Sequence, residues 1–348
     1  MSEPTFSVIV PAYNAAATLP ALLAALAAQS CSDFEIVLAD NGSTDATPQL
    51  LAAWQERLPQ LRIVTVRELG PAAARNGAIA AARGQLLAFT DADCIPASDW
   101  LARARPLLAE HAMLAGLTVG GGVGGSVARF LGLTTLRGGE NGRIHRDLGS
   151  TGTHGYPTAN LFIRRTALTG LDGSPFDVAL RTGEDFDLQG RLFRAGHSLR
   201  FDPSLRVQHQ HRDALAALLK QSVGFGRAHG LLLARFGQPG WQIVLPFAGC
   251  LHLRQLPGKL WLDLAGMDKK LLLLLAAALL LPALAPLWLA AALLLPLRAA
   301  LFLRRRARGD GLVVPLWEPL LWSLLLLAKS AAFTLGRWQG ARRDGVTL

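Results

Sequence analysis

The chain has 348 residues, about half of them hydrophobic, enough to bury one large domain or two small ones. Lys and Arg outnumber Asp and Glu by 35 to 25, and many of the basic residues fall late in the chain beside apolar runs, which suggests an anionic membrane surface. No basic stripe interleaved with aromatics points to nucleic acid, and Cys31, Cys94 and Cys250, scattered without metal-ligand spacing, argue against a disulfide framework and fit a reducing compartment.

Met-Ser-Glu-Pro-Thr precedes the first strand with no basic and apolar leader pattern, so no cleaved signal peptide is expected. Phe6–Val10 is a β-branched apolar run that predicts a strand and ends at Pro11-Ala12-Tyr13-Asn14. An Ala/Leu helix follows over 18–28, then a second buried strand over 34–39 that empties into Asp40-Asn41-Gly42-Ser43-Thr44-Asp45. That loop is turn chemistry, and it supplies caps for a helix over 46–57. A third strand covers 61–66, and a helix over 71–83 starts with Pro71 and stops at Gly84. Leu86-Leu87-Ala88-Phe89 forms a fourth strand that runs into Asp91-Ala92-Asp93, and Pro96 bars its continuation.

Strands alternating with helices at this spacing predict an α/β fold, a parallel sheet with helices on both faces. Ligands on such sheets bind outside the carboxyl ends of the strands, so the loops at 11–14, 40–45 and 91–93 should open on one crevice. Along an extended strand end Asp91 and Asp93 lie on one side, and two hard oxygen donors there suit Mg²⁺ or Mn²⁺ holding a diphosphate. No Gly-x-Gly-x-x-Gly follows the first strand and no Walker A sequence occurs, which speaks against dinucleotide and P-loop folds.

Four ordered segments carry a resemblance: Ser-Val-Ile-Val-Pro-Ala-Tyr-Asn (7–14), Ala-Asp-Asn-Gly-Ser-Thr-Asp (39–45), Gly-Pro-Ala-Ala-Ala-Arg-Asn-Gly (70–77) and Asp91-Ala92-Asp93. In order and spacing they resemble the family 2 glycosyltransferases, non-processive type, over roughly residues 6–230. The resemblance implies a GT-A-like, mostly parallel sheet and inverting transfer from a nucleotide diphosphate sugar, UDP- or GDP-linked. It places Pro11, Tyr13 and Asp40 beside the nucleobase and ribose, and Arg75 with Asp91 beside the diphosphate.

The glycine-dense stretches 116–125 and 138–152 read as a crossover, with a sheet segment over 117–123 and a lid or acceptor loop over 138–152. His145 and His154 read as loop histidines. Tyr156–Arg165 resumes a strand and resembles the family's acceptor side, which points to Asn160. Thr182-Gly183-Glu184-Asp185-Phe186-Asp187 reads as an acidic helix start, favoured by the helix dipole. By resemblance, Asp185 is the general base and Glu184 lies on the acceptor side. His209 and His211 share one face of an extended segment, and the resemblance puts His209 with Asp91 and Asp93 at the metal. The Gln-x-x-Arg-Trp signature of processive synthases is absent.

Leu271–Leu303 is apolar apart from Arg298 and its prolines, with Lys269 and Lys270 before it and Arg304, Arg305, Arg306 and Arg308 after it. Basic clusters at both ends favour a re-entrant or tilted hairpin broken at Pro282–Pro286, with both ends cytoplasmic. Over 316–335, Leu320, Leu321, Leu324, Leu325, Ala328, Ala332 and Leu335 recur at helical spacing and suggest an interfacial helix, with Trp317, Trp322 and Trp338 at the headgroups. The expected division is a transferase domain over 1–235, an amphipathic connector over 236–268, with Trp241–His252 on the membrane surface, and a membrane region over 269–348. These features imply an enzyme at the cytoplasmic face of the membrane, acting on a hydroxyl acceptor, lipid-linked or membrane-associated. The rivals are a nucleotidyltransferase and a membrane-bound scaffold that binds nucleotide sugar without turning it over.

Overall fold

The computed structural model describes residues 4–120, 124–135, 142–245 and 249–344. In chain order the elements are β1 (Phe6–Ala12), α1 (Leu19–Ala27), β2 (Phe34–Asp40), α2 (Thr47–Gln55), β3 (Leu61–Thr65), α3 (Pro71–Ala81), β4 (Leu86–Phe89), β5 (Cys94–Pro96), α4 (Trp100–Glu110) and β6 (Met113–Gly120). Next come α5 (Ser126–Thr134), β7 (Ile144–His145), β8 (Leu161–Arg164), α6 (Glu184–Arg194), β9 (Leu199–His209) and α7 (Leu215–Phe236). The last are β10 (Gly240–Leu245), β11 (Gly249–Leu253), β12 (Lys259–Asp263), α8 (Met267–Leu280), α9 (Ala285–Gly309) and α10 (Glu318–Asp344). They fall into two units. The first holds Met1–Gly121, Leu136–Gly149 and His154–His211, and the second holds Gly122–Thr135, Ser150–Thr153 and Arg212–Leu348.

The first unit is built on one sheet with strand order β3-β2-β1-β4-β8-β6-β9-β5, and β7 added against β9. β3, β2, β1 and β4 are parallel, as the alternating sequence predicts. β1 and β2 are buried along almost their whole length because helices cover both faces, which is why neither shows a polar-apolar alternation. Phe6, Val8, Leu22, Leu38, Trp100 and Phe162 belong to the core cluster of this sheet. Past β4 the sheet turns mixed: β8 runs antiparallel to both β4 and β6, β9 parallel to β6, and β5 antiparallel to β9. The first four residues of the expected 117–123 sheet segment lie in β6, which reaches Gly120, and residues 121–123 lie outside the described residues.

Of the expected lid over 138–152, residues 138–141 also lie outside the described residues. His145, expected in a loop, instead sits in β7, paired with Leu199 of β9. Its Nε2 is 2.8 Å from the Tyr156 hydroxyl, and Tyr156 stacks on Phe201.

The second unit gives the C-terminal region its structure. Within the expected connector over 236–268, β10, β11 and β12 form a three-stranded sheet in the order β11-β10-β12. β10 and β11 pair antiparallel within the Trp241–His252 stretch and its flanks, and β12 adds parallel to β10. The break after Leu280 is present, and α8 and α9 pack as the two arms of a hairpin. α10 is longer than expected and packs on α7 through glycines of both helices. A Cβ on Gly336 would stand 2.1 Å from the Val223 carbonyl oxygen, and one on Gly226 would stand 2.2 Å from that of Phe333. Such close backbone approach is open only to glycine.

The buried face of α10 includes Trp322, Leu325, Ala332 and Gly336, while Leu320, Leu324 and Leu335 of the expected stripe are exposed. Trp322, expected at headgroup level, is fully buried and donates from Nε1 to Ser126. The segments Pro282–Gly309 and Glu318–Asp344 are both long and apolar enough to cross a membrane.

Candidate active site

The crevice lies at the carboxyl ends of the parallel strands. Register sets Ala12 beside Asp40 and Ile9 beside Phe89, so the loops after β1, β2 and β4 emerge together. Two of them are tied to each other. Asn14 adopts φ 49°, a conformation Asn tolerates better than most residues, and its Oδ1 accepts the Thr44 amide at 2.8 Å. Ser43 Oγ returns the link by accepting the Asn14 amide at 2.9 Å. Of the residues expected at the nucleoside, Tyr13 is well exposed, Pro11 partly exposed, and Asp40 nearly buried, accepting the Ser43 amide at 3.3 Å. Asn41 anchors the start of α3, with Nδ2 donating to Val66 and Glu68 carbonyls and Oδ1 accepting the Gly70 amide.

Arg75 is the hub. It projects from α3, is 5% exposed, and donates from Nη2 to Asp91 at 2.8 Å and from Nη1 to Glu184 at 2.7 Å. Burial works against its charge, but Asp91, Glu184 and Asp185 outweigh it and hold the guanidinium protonated. Its buried Nε has no hydrogen-bond partner among the described residues, and its guanidinium carbon lies 5.6 Å from the Phe176 ring centroid. Asn76, the next residue on α3, pairs with the Phe176 backbone through both ends of its amide, at 2.7 and 2.9 Å. Phe176 follows Asp172-Gly173-Ser174-Pro175, which has turn chemistry and carries no local signal of this contact.

The two aspartates of the Asp-x-Asp segment part company. β4 stops at Phe89, and residues 91–93 turn, with the Cys94 amide donating to the Asp91 carbonyl. The expectation that both carboxylates lie on one side of a strand end therefore does not hold. Asp91 faces Arg75, while Asp93 faces β9, where His209 Nε2 stands 3.3 Å from Asp93 Oδ1. The β5–β9 pairing, with Cys94 opposite His209, creates that proximity. Asp93, Cys94 and His209 each offer a ligand atom within 4.8 Å of the others. Burial, then Asp91 and Asp93, push the Cys94 thiol up, and a soft sulfur donor suits Mn²⁺ or Mg²⁺ poorly.

A carboxylate and an imidazole remain, a donor set that suits Mn²⁺ or Mg²⁺ with further positions open for phosphate oxygens. His209 Nδ1 is buried and has no hydrogen-bond partner among the described residues. His211 lies alongside, ring centroids 4.3 Å apart.

Asp185 sits in the first turn of α6, after Gly183 at φ 82°. Its Oδ1 accepts the Phe186 amide at 2.9 Å. Burial, then the neighbouring Glu184 charge, raise its pKa to about 7, against the opposing pull of Arg75 and the Phe186 amide. A carboxylate of that basicity can take a proton near neutral pH. Gln189, fully buried one turn on, donates from Nε2 to the Asp185 and Tyr156 carbonyls and accepts the Tyr156 amide. Glu184, expected on the acceptor side, is nearly buried and ion-paired with Arg75. Asn160 is 1% exposed, and its side chain bonds Trp100 Nε1 and the Leu117 and Leu205 carbonyls. Its amide is used inside the sheet, so the acceptor-side expectation for Asn160 is not met by this geometry.

A family model described as glycosyl transferase family 2 matches residues 7–169. Glycosyltransferase AglE of Haloferax volcanii is 32% identical over 243 residues, covering 67% of this chain and 76% of that protein. The chain belongs to glycosyl transferase family 2. A PGL/p-HBAD biosynthesis glycosyltransferase of Mycobacterium bovis is 40% identical over 114 residues, which cover 32% of this family 2 chain and 44% of that protein. Among solved structures, mannosyltransferase PcManGT of Pyrobaculum calidifontis, in complex with GDP-Man and Mn²⁺, has a TM-score of 0.53 at 21% identity, covering 95% of this chain and 87% of that one. S. aureus TarS in complex with UDP-GlcNAc gives 0.50 at 19% identity, over 98% and 92% of the two chains. At these identities the likeness is one of fold, and it bears out the GT-A-like expectation.

Proposed function

We propose that this family 2 chain is an inverting, metal-dependent transferase that moves a sugar from a UDP- or GDP-linked donor to a hydroxyl acceptor, lipid-linked or on a membrane-associated glycan. The observation that carries this is the Asp185 carboxylate, at the start of α6 beside Glu184 and the Arg75 guanidinium and raised to a pKa of about 7. The acceptor hydroxyl attacks the anomeric carbon from the face opposite the diphosphate. Its proton passes to Asp185 as the new carbon–oxygen bond forms, the bond to the diphosphate oxygen breaks, and the nucleoside diphosphate leaves. One displacement inverts the anomeric configuration. A second carboxyl acid is unnecessary, because a diphosphate leaves as an anion once its charge is matched; glycosidases need that acid.

Asp93 and His209 would hold the divalent cation, which when bound neutralises charge on the departing diphosphate. Arg75, locked in place by Asp91 and Glu184, adds a fixed positive charge beside it. Tyr13, Pro11 and Asp40 take the nucleoside at the loop ends. The PcManGT complex with GDP-Man and Mn²⁺ and the TarS complex with UDP-GlcNAc support the donor class. The apolar hairpin of α8 and α9 supports a membrane anchor entered from the cytoplasmic face, with basic residues at both its ends.

The test is transfer from a panel of radiolabelled UDP- and GDP-sugars by the detergent-solubilised chain, with and without Mn²⁺, against lipid extracts. Metal-dependent transfer with inverted configuration is expected. Donor binding with no turnover on any acceptor would favour the scaffold reading instead.

A further inference from the structure

β9 does not pair with β6 in one unbroken register. Residues 113–116 of β6 stand opposite 199–202, but the next residue of β6, Leu117, stands opposite Arg206. Pro203, Ser204 and Leu205 are left over between them and form a bulge. This has two consequences for His209. It draws β9 back by three residues: in unbroken register Gly120 would meet Arg206, with His209 roughly 10 Å further along. An odd shift also exchanges the faces of the sheet on which alternate residues lie. Leu199 and Phe201 share a face with Met113 and Ala115, whereas Val207 and His209 lie on the face of Leu114 and Thr118. Val207 accordingly joins Leu114 in the core cluster. In this register β9 sets His209 opposite Cys94 and beside Asp93.

One side chain ties the two sides of the bulge together. Asn160 Nδ2 donates to the carbonyl of Leu205, the last residue of the bulge, at 2.8 Å. It also donates to the carbonyl of Leu117, the residue of β6 at which pairing resumes, at 3.2 Å. Its Oδ1 accepts Trp100 Nε1 at 2.9 Å, and because an indole only donates, that bond fixes which way the amide points. Gly116 leaves the room: a Cβ there would stand 2.2 Å from the Leu205 carbonyl oxygen and 2.4 Å from Asn160 Nδ2. At the start of the bulge, Asp202 Oδ1 accepts the Ser204 amide and hydroxyl, at 2.9 and 2.7 Å.

We propose that Asn160 is a positioning residue for the divalent cation: by holding the β9 bulge against β6, it sets His209 beside Asp93. Asn160 touches neither donor nor metal, and acts through the register of the strand that carries the ligand. The inference rests on the reading of Asp93 and His209 as the metal pair.

The test is Mn²⁺ binding by the detergent-solubilised full chain, followed by electron paramagnetic resonance with UDP and with GDP present in turn, beside thermal unfolding. H209A sets the scale for loss of the ligand itself. N160A releases the bulge, and G116A pushes on it from β6. Each should bind Mn²⁺ at least about tenfold more weakly, the range typical of residues that orient a metal ligand. Their nucleotide affinity in EDTA should stay at the wild-type level. Leu61→Ala lies in the same core but at the amino end of β3, the opposite edge of the sheet. It should lower Tm comparably and leave Mn²⁺ affinity unchanged. Where N160A fails to fold, G116A carries the test. Wild-type Mn²⁺ affinity in either folded variant, an equal fall in EDTA nucleotide affinity, or equal Mn²⁺ loss in Leu61→Ala overturns the positioning role. Wild-type Mn²⁺ affinity in H209A overturns the metal reading itself, whatever Asn160 does.

Discussion

Replacing Asp185 by Asn separates a catalytic carboxylate from a helix-start acid, because the two roles move stability in opposite directions. Asn keeps the shape and still accepts the Phe186 amide, but it takes no proton. As general base, its loss should cost about 10²–10⁴ in transfer rate, or about 3–5 kcal/mol of barrier. The stability effect follows from the pKa. In the folded chain it lies at about 7, against 3.8 for the free group. The folded state therefore favours the protonated form, and this stabilisation is present below about pH 4 and lost as pH rises through about 7.

Above pH 7 the ionised carboxylate costs the fold up to about 4 kcal/mol, from roughly three pKa units at about 1.4 kcal/mol each. Asp185→Asn should thus raise Tm at pH 8 and leave it nearly unchanged at pH 4. A helix-start acid would do the reverse, losing up to about 1 kcal/mol and lowering Tm. Wild-type turnover should fall about tenfold per pH unit below 7. The assays are radiolabelled sugar transfer between pH 5 and 9, differential scanning calorimetry, and nucleoside diphosphate affinity, all on one preparation. Nucleotide affinity should survive. A folded variant with near-normal turnover, or one with a lowered Tm at pH 8, refutes the reasoning and moves the base elsewhere.

Four further outcomes are expected. Asp93→Ala should abolish transfer and remove the Mn²⁺-dependent part of nucleotide binding, measured by calorimetry; full activity in EDTA would sink the metal assignment. Arg75→Met should leave Glu184 and Asp91 without their cation, costing about 3–5 kcal/mol in denaturant unfolding and also weakening nucleotide binding. Gly336→Val places a side chain against the Val223 carbonyl, so thermal unfolding of the detergent-solubilised chain should fall by about 1–3 kcal/mol or more; an unchanged Tm would mean α7 and α10 are not so closely packed. Cysteines introduced at 268 and 308 should both be labelled from the cytoplasmic side, whereas labelling of the second from outside would mean a full crossing.

Much of the site was written in local sequence. The strands at 6–10, 34–39 and 86–89, the Pro71 helix start and the polar loops between them follow from period, turn residues and burial. Each is decided within a few residues of itself. The family resemblance added Arg75, Asp185 and His209 as residues to watch, but not what they touch. Those contacts depend on strand pairing between distant segments. His209 meets Asp93 only because β9 lies beside β5, and Arg75 meets Glu184 across 109 residues of chain.

Asp91 and Asp93 read as a matched pair in sequence, yet one terminal turn of the backbone sends them to different partners. Asn160 reads by resemblance as a polar residue on the acceptor side, and its buried amide bonds Trp100 of α4 and the Leu117 and Leu205 carbonyls of the sheet. The C-terminal region departs furthest from a local reading. Apolar periodicity there determines that helices form, but it cannot say which face meets protein and which meets lipid, since leucine suits both. The glycines of α7 and α10 decide that choice, because backbones that touch at van der Waals distance exclude any Cβ, and that contact exists only once both helices are in place.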